Sequence, residues 1–299
     1  MDSTAGTCDG GTNRSRAWLA GVMKFGISTF VTDEGIRPTT LATALEERGF
    51  DSLFLAEHSH IPVSRETPYP DGGELPRPYY RTLDPFVALS AAAAVTETLL
   101  LGTGVALVVQ RDVIHTANEA ASLDLISDGR FVFGVGVGWN REEMRNHGTD
   151  PRTRGALLNE QLQAIKAIWT SEQAEFHGEH VDFDPIYAWP KPVRTPHPPI
   201  YVGGESPAAI ERLAAHGDGW LPRGHTEPEQ IRSVLRSLAE RGKSDVPVTI
   251  FAAGRDESRI EGWADVGVER VTFFLPTLPE AETLTALDEL AALAGRHAG

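Results

Sequence analysis

The sequence predicts one (β/α)8 TIM barrel with long insertions in the loops at the carboxyl ends of its strands. Strand-like and helix-like segments alternate from Lys24 onward and form eight units. Regular alternation of this kind implies parallel strands joined by right-handed crossovers. Eight such units over about 250 residues are typical of a TIM barrel. No Gly/Ser-rich linker divides the chain, so we expect a single domain over residues 22–299.

The first four units are predicted from short apolar strands, each followed by a segment of helical periodicity. The helix at residue 84 begins with Asp at the N-cap and Pro in the first turn, a strong start signal. A proline-rich loop over 61–81 interrupts this half, and loops of that length are usually lids or binding loops. In order, the elements are strand 24–28, helix 39–48, strand 51–56, helix 84–94, strand 99–108, helix 114–126, strand 131–137 and helix 151–169.

The second half resumes the pattern after an irregular segment over 170–198. Two loops therefore stand out, 61–81 and 170–198, and we expect them to define the substrate. Tyr79, Tyr80, Tyr187 and Trp189 suggest a hydrophobic molecule, or they pack the loops onto the barrel. The elements are strand 199–202, helix 206–216, strand 219–221, helix 227–241, strand 246–252, helix 258–266, strand 270–275 and helix 280–294.

Composition excludes several classes of partner. The formal net charge of −15 leaves no basic surplus to neutralise phosphates, which argues against nucleic acid and anionic membranes. Cys8 is the single cysteine, so an intrachain disulfide is ruled out and a cytoplasmic location is expected. No apolar run is long enough for a transmembrane helix. Residues 1–21 lack the apolar core of a secretion signal and are predicted to form a disordered leader.

Polar and glycine residues follow four of the predicted strands. Because the active site of a TIM barrel lies at the carboxyl ends of its strands, these residues are the candidates for chemistry. They are Glu57 and His58 after the second strand, Gln110 and Arg111 after the third, Gly138, Trp139 and Asn140 after the fourth, and Gly203, Gly204, Glu205 and Ser206 after the fifth.

The fourth strand carries Gly134, Gly136 and Gly138 on one face by the two-residue period of a strand. Three glycines on one face favour a backbone cleared for a planar ligand. The alternative is that they relieve crowding at the top of a narrow barrel. The spacing does not match the G-x-G-x-x-G dinucleotide fingerprint, since Trp139 and Arg141 stand where the last glycine belongs.

Two strand ends suggest specific chemistry. A histidine such as His58 can move protons or hydrogen-bond a ligand near neutral pH, although a Glu-His pair can also be a polar loop feature. Gly203 to Ser206 lead into a helix with Ser at the N-cap and Pro207 in the first turn, which suits a phosphate or is simply a well-capped helix. His177 and His180 flank Gly178 without a helical face, so no metal site is predicted.

Four motifs resemble the bacterial luciferase-like flavin and deazaflavin oxidoreductases, a family of TIM barrels, and the similarity runs from Val22 onward. The motifs look most like the actinobacterial branch of coenzyme F420-dependent oxidoreductases. They are DSLFLAEH (51–58), LGTGVALVVQRDVIHTANEAASLDLISDGR (101–130), GVGVGWNREEMRNHG (134–148) and IYVGGESPAAIERLAAHGDGW (200–220).

The resemblance implies roles for these positions. A non-prolyl cis peptide after the third strand, by position Gly104–Val105, would support the cofactor ring. Glu57 and His58 match the acidic-His pair at the reactive centre and would be catalytic as well as cofactor-binding. Gly136, Gly138 and Trp139 match the segment beside the ribityl chain. The loop that holds the cofactor phosphate corresponds to Gly203, Gly204, Glu205 and Ser206.

The family comparison also shows departures. Related sugar-phosphate dehydrogenases have a catalytic carboxylate where this chain has Trp139, and a tryptophan where it has Pro62. The expectation is therefore hydride transfer between bound F420 and a small hydrophobic organic molecule. An FMN-dependent monooxygenase of the same family is the first alternative, and a non-catalytic flavin-binding or sensing barrel is the second. The resemblance implies a homodimer, although no segment of the sequence marks an interface.

Overall fold

The computed structural model describes residues 23–297, and eight parallel strands in this part of the chain close into a barrel. The strands of the barrel are β1 (Lys24–Thr29), β2 (Ser52–Leu55), β3 (Leu100–Thr103), β4 (Phe131–Val135), β7 (Ile200–Gly203), β8 (Gly219–Leu221), β9 (Thr249–Ala253) and β10 (Arg270–Leu275). The strands β5 (Ala174–His177) and β6 (Asp182–Ile186) form a separate sheet. Neighbouring strands of the barrel follow the order β8-β7-β4-β3-β2-β1-β10-β9, and the bridges Trp220–Val248 and Arg223–Phe251 join the two edges.

Helices surround the strands. Several begin at the predicted caps: Asp84 accepts a hydrogen bond from the Val87 amide at 3.0 Å, and Ser206 accepts one from the Ala209 amide at 3.2 Å. The helices are α1 (Pro38–Glu47), α2 (Pro85–Ala93), α3 (Val113–Ile126), α4 (Arg141–Asn146), α5 (Arg154–Thr170), α6 (Pro207–His216), α7 (Pro228–Glu240), α8 (Glu257–Asp265) and α9 (Glu280–His297).

Two apolar layers stabilise the barrel. The larger cluster lies between strands and helices and includes the fully buried Leu53, Phe133 and Trp220. A smaller cluster is formed by strand residues of the opposite parity, among them Phe54 and Val132. Because side chains alternate across a strand, the second cluster fills the barrel interior. The predicted TIM barrel is confirmed, with all eight predicted strands and helices present.

Three local features differ from the prediction. The third strand ends at Thr103 instead of Val108, because the chain turns at a cis peptide between Gly104 and Val105 and continues into a 3-10 turn over Val108–Gln110. The irregular segment 170–198 contains an antiparallel hairpin, β5 (Ala174–His177) and β6 (Asp182–Ile186). Helix α4 was not predicted, since six residues are too few to show a helical period.

Two further expectations from the sequence concern the amino-terminal residues and membrane-spanning helices. The predicted leader, residues 1–21, lies outside the described residues. Among residues 23–297, no helix has both the length and the apolar character needed to cross a bilayer.

Glu46 joins the end of α1 to the start of β3. Its carboxylate accepts hydrogen bonds from the amides of Glu97, Thr98 and Leu99 and from the Thr98 hydroxyl. Although partial burial opposes ionisation, these hydrogen bonds lower the pKa of Glu46 from 4.5 to about 2. The ionised carboxylate therefore satisfies three consecutive amides just before β3.

We expect Glu46→Ala to lower the free energy of unfolding by about 2 kcal/mol, because it removes hydrogen bonds to a charged acceptor. A depressed carboxyl pKa contributes stability above the unfolded value, so the difference from wild type should shrink as pH falls from about 4.5 to about 2. Urea unfolding at several pH values measures this. Glu47→Ala is the control, since Glu47 is exposed on the same helix, and an equal effect there would contradict the assignment.

Candidate functional site

A cavity of about 1170 Å³ opens at the carboxyl ends of the barrel strands. The structure brings every residue predicted to bind cofactor or take part in catalysis to its wall. Gln110, Arg111 and Asn140, which also follow strands, lie outside the lining. The predicted residues that line the cavity are Glu57, His58, Gly104, Val105, Gly136, Gly138, Trp139, Gly203, Gly204, Glu205 and Ser206.

Val105 forms a ledge in the cavity because the chain leaves β3 through the cis peptide at Gly104–Val105. The Val105 side chain lies between two glycines. A Cβ on Gly136 would lie 2.6 Å from Val105 Cγ2, and one on Gly203 would lie 2.7 Å from Val105 Cγ1. Both glycines are therefore required by the close approach of Val105, and the ledge has no room for a larger residue on either side.

The glycines of the fourth strand make room for a neighbouring segment of the chain, whereas the sequence favoured a backbone cleared for a planar ligand. β4 ends at Val135, so Gly136 and Gly138 lie beyond it. A Cβ on Gly134 would lie 1.9 Å from the Thr103 carbonyl oxygen. Gly134 and Gly136 thus make room for the chain that leaves β3, which is the crowding alternative. Gly138 has φ +71°, a conformation that glycine adopts without strain.

Glu57 holds the chain behind this ledge. Its Oε2 accepts a hydrogen bond from the Leu107 amide at 2.6 Å, and its Oε1 accepts one from Arg111 Nε at 2.7 Å. Arg111 also pairs with Asp84 and with Glu119. Burial raises the pKa of Glu57, while the Arg111 guanidinium opposes the shift. These contacts describe a buried ion-pair network that fixes the backbone after β3.

His58 faces a buried carboxylate that sequence reasoning missed. Its Nδ1 lies 3.0 and 2.9 Å from the two carboxylate oxygens of Glu143, whose side chain is fully buried. Glu143 belongs to α4, and its amide is capped by Asn140. An acidic residue in the first turn of a helix reads as a capping feature, so the sequence offered no separate signal for this pair.

Two aromatic rings pack on His58, and a third packs on both of them. Tyr79 and Trp139 lie 5.2 and 5.8 Å from the imidazole, measured between ring centroids. Tyr69 completes the group at 5.4 Å from Tyr79 and 6.1 Å from Trp139, with its ring steeply inclined to both. Burial, together with the Tyr69 hydroxyl, raises the pKa of Tyr79. The cavity is therefore apolar next to His58. Tyr80, Tyr187 and Trp189 lie outside the lining.

Four arginines also line the cavity. They are Arg152, Arg154, Arg212 and Arg223, and the turn from Gly203 to Ser206 belongs to the same lining. Arg212 is only 7% exposed and donates to Asn159 Oδ1 at 2.7 Å and to the Gly155 carbonyl at 3.1 Å. Burial lowers its pKa, and no carboxylate within residues 23–297 pairs with it.

The four arginines differ in their pairing. Arg223 pairs with Glu205 at 3.1 Å and Arg152 with Asp150 at 2.6 Å, whereas Arg154 has no acidic partner in the described part of the chain. Gly204 has φ +97° and leads into α6, whose first turn lies beside these arginines. Two guanidinium groups without carboxylates beside a helix start can bind an anion such as a phosphate. No group of three or more metal-binding side chains occurs within residues 23–297.

Comparison with known proteins agrees with this architecture. The chain is 38% identical over 280 residues to an uncharacterized protein of Mycobacterium tuberculosis, covering 90% of this chain and 98% of that protein. It is 32% identical over 200 residues to an F420-dependent glucose-6-phosphate dehydrogenase of Nakamurella multipartita, covering 65% of this chain and 54% of that one. The fold matches a monooxygenase of Streptomyces bottropensis with a TM-score of 0.74 at 21% identity, covering 93% and 100% of the two chains.

The model of one family covers almost the whole chain. That family is described as luciferase-like monooxygenase, and the match runs over residues 23–297. It includes all eight barrel strands and every residue of the cavity wall. The chain therefore belongs to the luciferase-like monooxygenase family.

Proposed function

We propose that this protein is an F420-dependent oxidoreductase that transfers a hydride between the bound deazaflavin and a small hydrophobic organic molecule. The observation that carries the proposal is the lining of the cavity. In a chain with a net charge of −15, four arginines line the same cavity as the aromatic rings around His58. F420 has a flat ring, a phosphate and an acidic tail, so it is complementary to this arrangement.

The residues present fit such a cofactor part by part. Val105 and Gly104 would support the flat ring, with Gly136 and Gly203 leaving room for the Val105 side chain. Arg212 and the start of α6 would hold the phosphate, since a buried guanidinium without a carboxylate favours an anion. Gly138 and Trp139 would lie along the chain that joins ring and phosphate.

The acidic tail suits Arg152 and Arg154. Arg154 lacks an acidic partner within residues 23–297, and Arg152 pairs with Asp150 but keeps a side chain that is 88% exposed. FMN has a phosphate but no tail, so these two residues favour F420 over FMN. The arginines are scattered in the sequence, and four of them line the same cavity.

When bound, the deazaflavin would accept or supply a hydride, and the protein would manage the accompanying proton. For an alcohol substrate, the carbon–hydrogen bond gives up the hydride and the hydroxyl proton passes to His58; the reverse reaction returns that proton to a carbonyl oxygen. Tyr69, Tyr79 and Trp139 would exclude water from this step and hold the substrate by apolar contact.

A sugar phosphate does not fit the part of the cavity next to His58. Trp139 contributes an indole ring where related sugar-phosphate dehydrogenases have a carboxylate, and the charged residue of the lid loop (residues 61–81) that lines the cavity is Asp71. An anionic substrate would be repelled there. The substrate class we propose is therefore uncharged and apolar around the reacting carbon.

Cofactor titration tests the proposal. Fluorescence quenching should show F420 binding, and Arg154→Ala should weaken it about tenfold, since a charge-assisted hydrogen bond is worth about 1.5–3 kcal/mol. Binding of the F420 fragment that lacks phosphate and tail should change little. Arg232→Ala, an exposed arginine on α7, is the control. Tight FMN binding without F420 binding would overturn the cofactor assignment in favour of an FMN-dependent monooxygenase.

We expect His58→Gln to reduce turnover about 100-fold or more while the Kd for F420 changes less than about threefold. Glutamine keeps a donor that can reach Glu143 but cannot carry the proton. The measurement is F420 absorbance during reaction with a panel of apolar alcohols and ketones. Unchanged turnover would contradict the role of His58. Absence of any substrate-dependent redox change in the wild type would support a non-catalytic flavin-binding barrel.

Glu57, by contrast, should affect stability first. Glu57→Ala leaves the Leu107 amide and the buried side of Arg111 without their acceptor, so we expect the free energy of unfolding to fall by about 3 kcal/mol. The matched control is Glu119→Ala, which removes a more exposed partner of the same arginine and should have an effect below about 1 kcal/mol. Equal effects in urea unfolding would contradict a bracing role for Glu57.

A further inference from the structure

We propose that helix α4 couples docking of the lid loop to the state of His58, with Glu143 as a positioning residue and Glu142 as the clamp on the lid loop. The proposal rests on the proton-transfer role of His58 in the proposed function. It adds residues that act on the imidazole from behind the cavity wall. Two adjacent carboxylates of one short helix carry the argument.

Glu143 fixes the tautomer of His58. Both carboxylate oxygens lie within 3.0 Å of Nδ1, and carboxylate oxygens accept hydrogen bonds, so the geometry assigns the proton to Nδ1. In the neutral ring Nε2 is then the acceptor, available for a proton from the cavity side. Within residues 23–297 the Glu143 side chain has no other hydrogen-bond partner. A fully buried carboxylate is thus committed to one imidazole nitrogen.

Glu142 fixes the lid loop. Its carboxylate accepts a hydrogen bond from the Thr67 amide at 2.8 Å and a short one from the Thr67 hydroxyl. Although some burial opposes it, these bonds lower the pKa of Glu142, so the clamp is ionised at neutral pH. Thr67 Oγ1 also accepts from the Arg141 amide at 3.3 Å, which ties the lid loop to the first turn of α4.

The last turn of α4 holds the chain just before the lid loop. Asn146 Nδ2 lies 3.0 Å from His60 Nε2, and His147, directly after the helix, places Nε2 2.8 Å from Ser59 Oγ. The first turn of α4 is therefore bound to the lid loop, its last turn is bound to the residues just before the lid loop, and its middle is bound to His58. Because α4 is only six residues long, it cannot shift at the lid without moving Glu143.

The lid loop also contacts His58 directly. Tyr79, at its far end, packs on the imidazole with the ring centroids 5.2 Å apart. A docked lid loop thus places an aromatic ring over His58 and the carboxylate of Glu143 behind it. The acceptor nitrogen is then presented only when the cavity is closed from water, the condition in which a proton should be transferred.

The tautomer of His58 can be read without cofactor or substrate. In the full-length protein labelled with nitrogen-15 histidine, long-range proton–nitrogen spectra distinguish the two ring nitrogens, and the His58→Gln spectrum assigns the signal among ten histidines. We expect wild-type His58 to carry its proton on Nδ1. Glu143→Ala should shift it toward the mixed tautomers of a free imidazole, and an unchanged tautomer would overturn the positioning role.

A second pair of variants tests the coupling to the lid loop. Thr67→Val removes the hydroxyl held by Glu142, and we expect faster amide hydrogen exchange over 141–147 together with a broadened or shifted His58 signal. Glu66→Gln is the control, since Glu66 makes only an exposed 3.7 Å contact with Arg145 of the same helix. A His58 signal that ignores Thr67→Val would overturn the coupling while leaving the positioning role intact.

Folding and function are kept separate in these tests. Glu143→Gln preserves side-chain volume and replaces Glu143→Ala if the latter fails to fold; loss of the pure Nδ1–H tautomer supports the positioning role there as well, and its full retention contradicts a role for the charge. Cofactor titration does not enter the tautomer readout. A protein that fails to bind F420 but loses its His58 tautomer in Glu143→Ala would therefore reject the proposed function and retain this inference.

Discussion

The contact between β4 and the chain that leaves β3 is the constraint on which the cavity depends. The Thr103 carbonyl lies where a Cβ on Gly134 would be, and Val105 occupies the space that side chains at Gly136 and Gly203 would need. Gly136, just after β4, and Gly203, at the end of β7, thus leave room for Val105 in the barrel mouth. Glu57 holds the Leu107 amide and Arg111 just beyond it, so the ledge is fixed by packing in front and by ion pairs behind.

The cavity beside this ledge combines two kinds of lining. In a chain with a net charge of −15, four arginines line it, and low-dielectric walls around such a group strengthen its attraction for anions. Aromatic rings pack on an imidazole that is backed by a buried carboxylate. These are the features on which the proposed binding of an anionic, flat cofactor and an apolar substrate rests.

The sequence predicted the barrel and the position of the cavity because both depend on periodic or local signals. Strand–helix alternation established the topology, and residues after strands had to meet at one edge. Glu143 could not be predicted as a partner of His58, since 85 residues separate them and α4 is too short for a periodic pattern. Arg212 lies on α6, whose sequence shows only the amphipathic pattern of an ordinary surface helix. The glycine series was visible, but the neighbour that requires it, β3, appears only in three dimensions.

The polar contacts of Glu57 and those of the lid loop involve different residues. Glu57 binds Leu107 and Arg111, whereas the lid loop is tied through Arg77 to Glu34, through Arg81 to Asp33, and through Thr67 to Glu142. Substitutions in the lid loop can therefore accumulate without loosening the ledge. This modularity offers a physical route by which descendants of one barrel diversify the molecules they accept while the Val105 ledge stays unchanged.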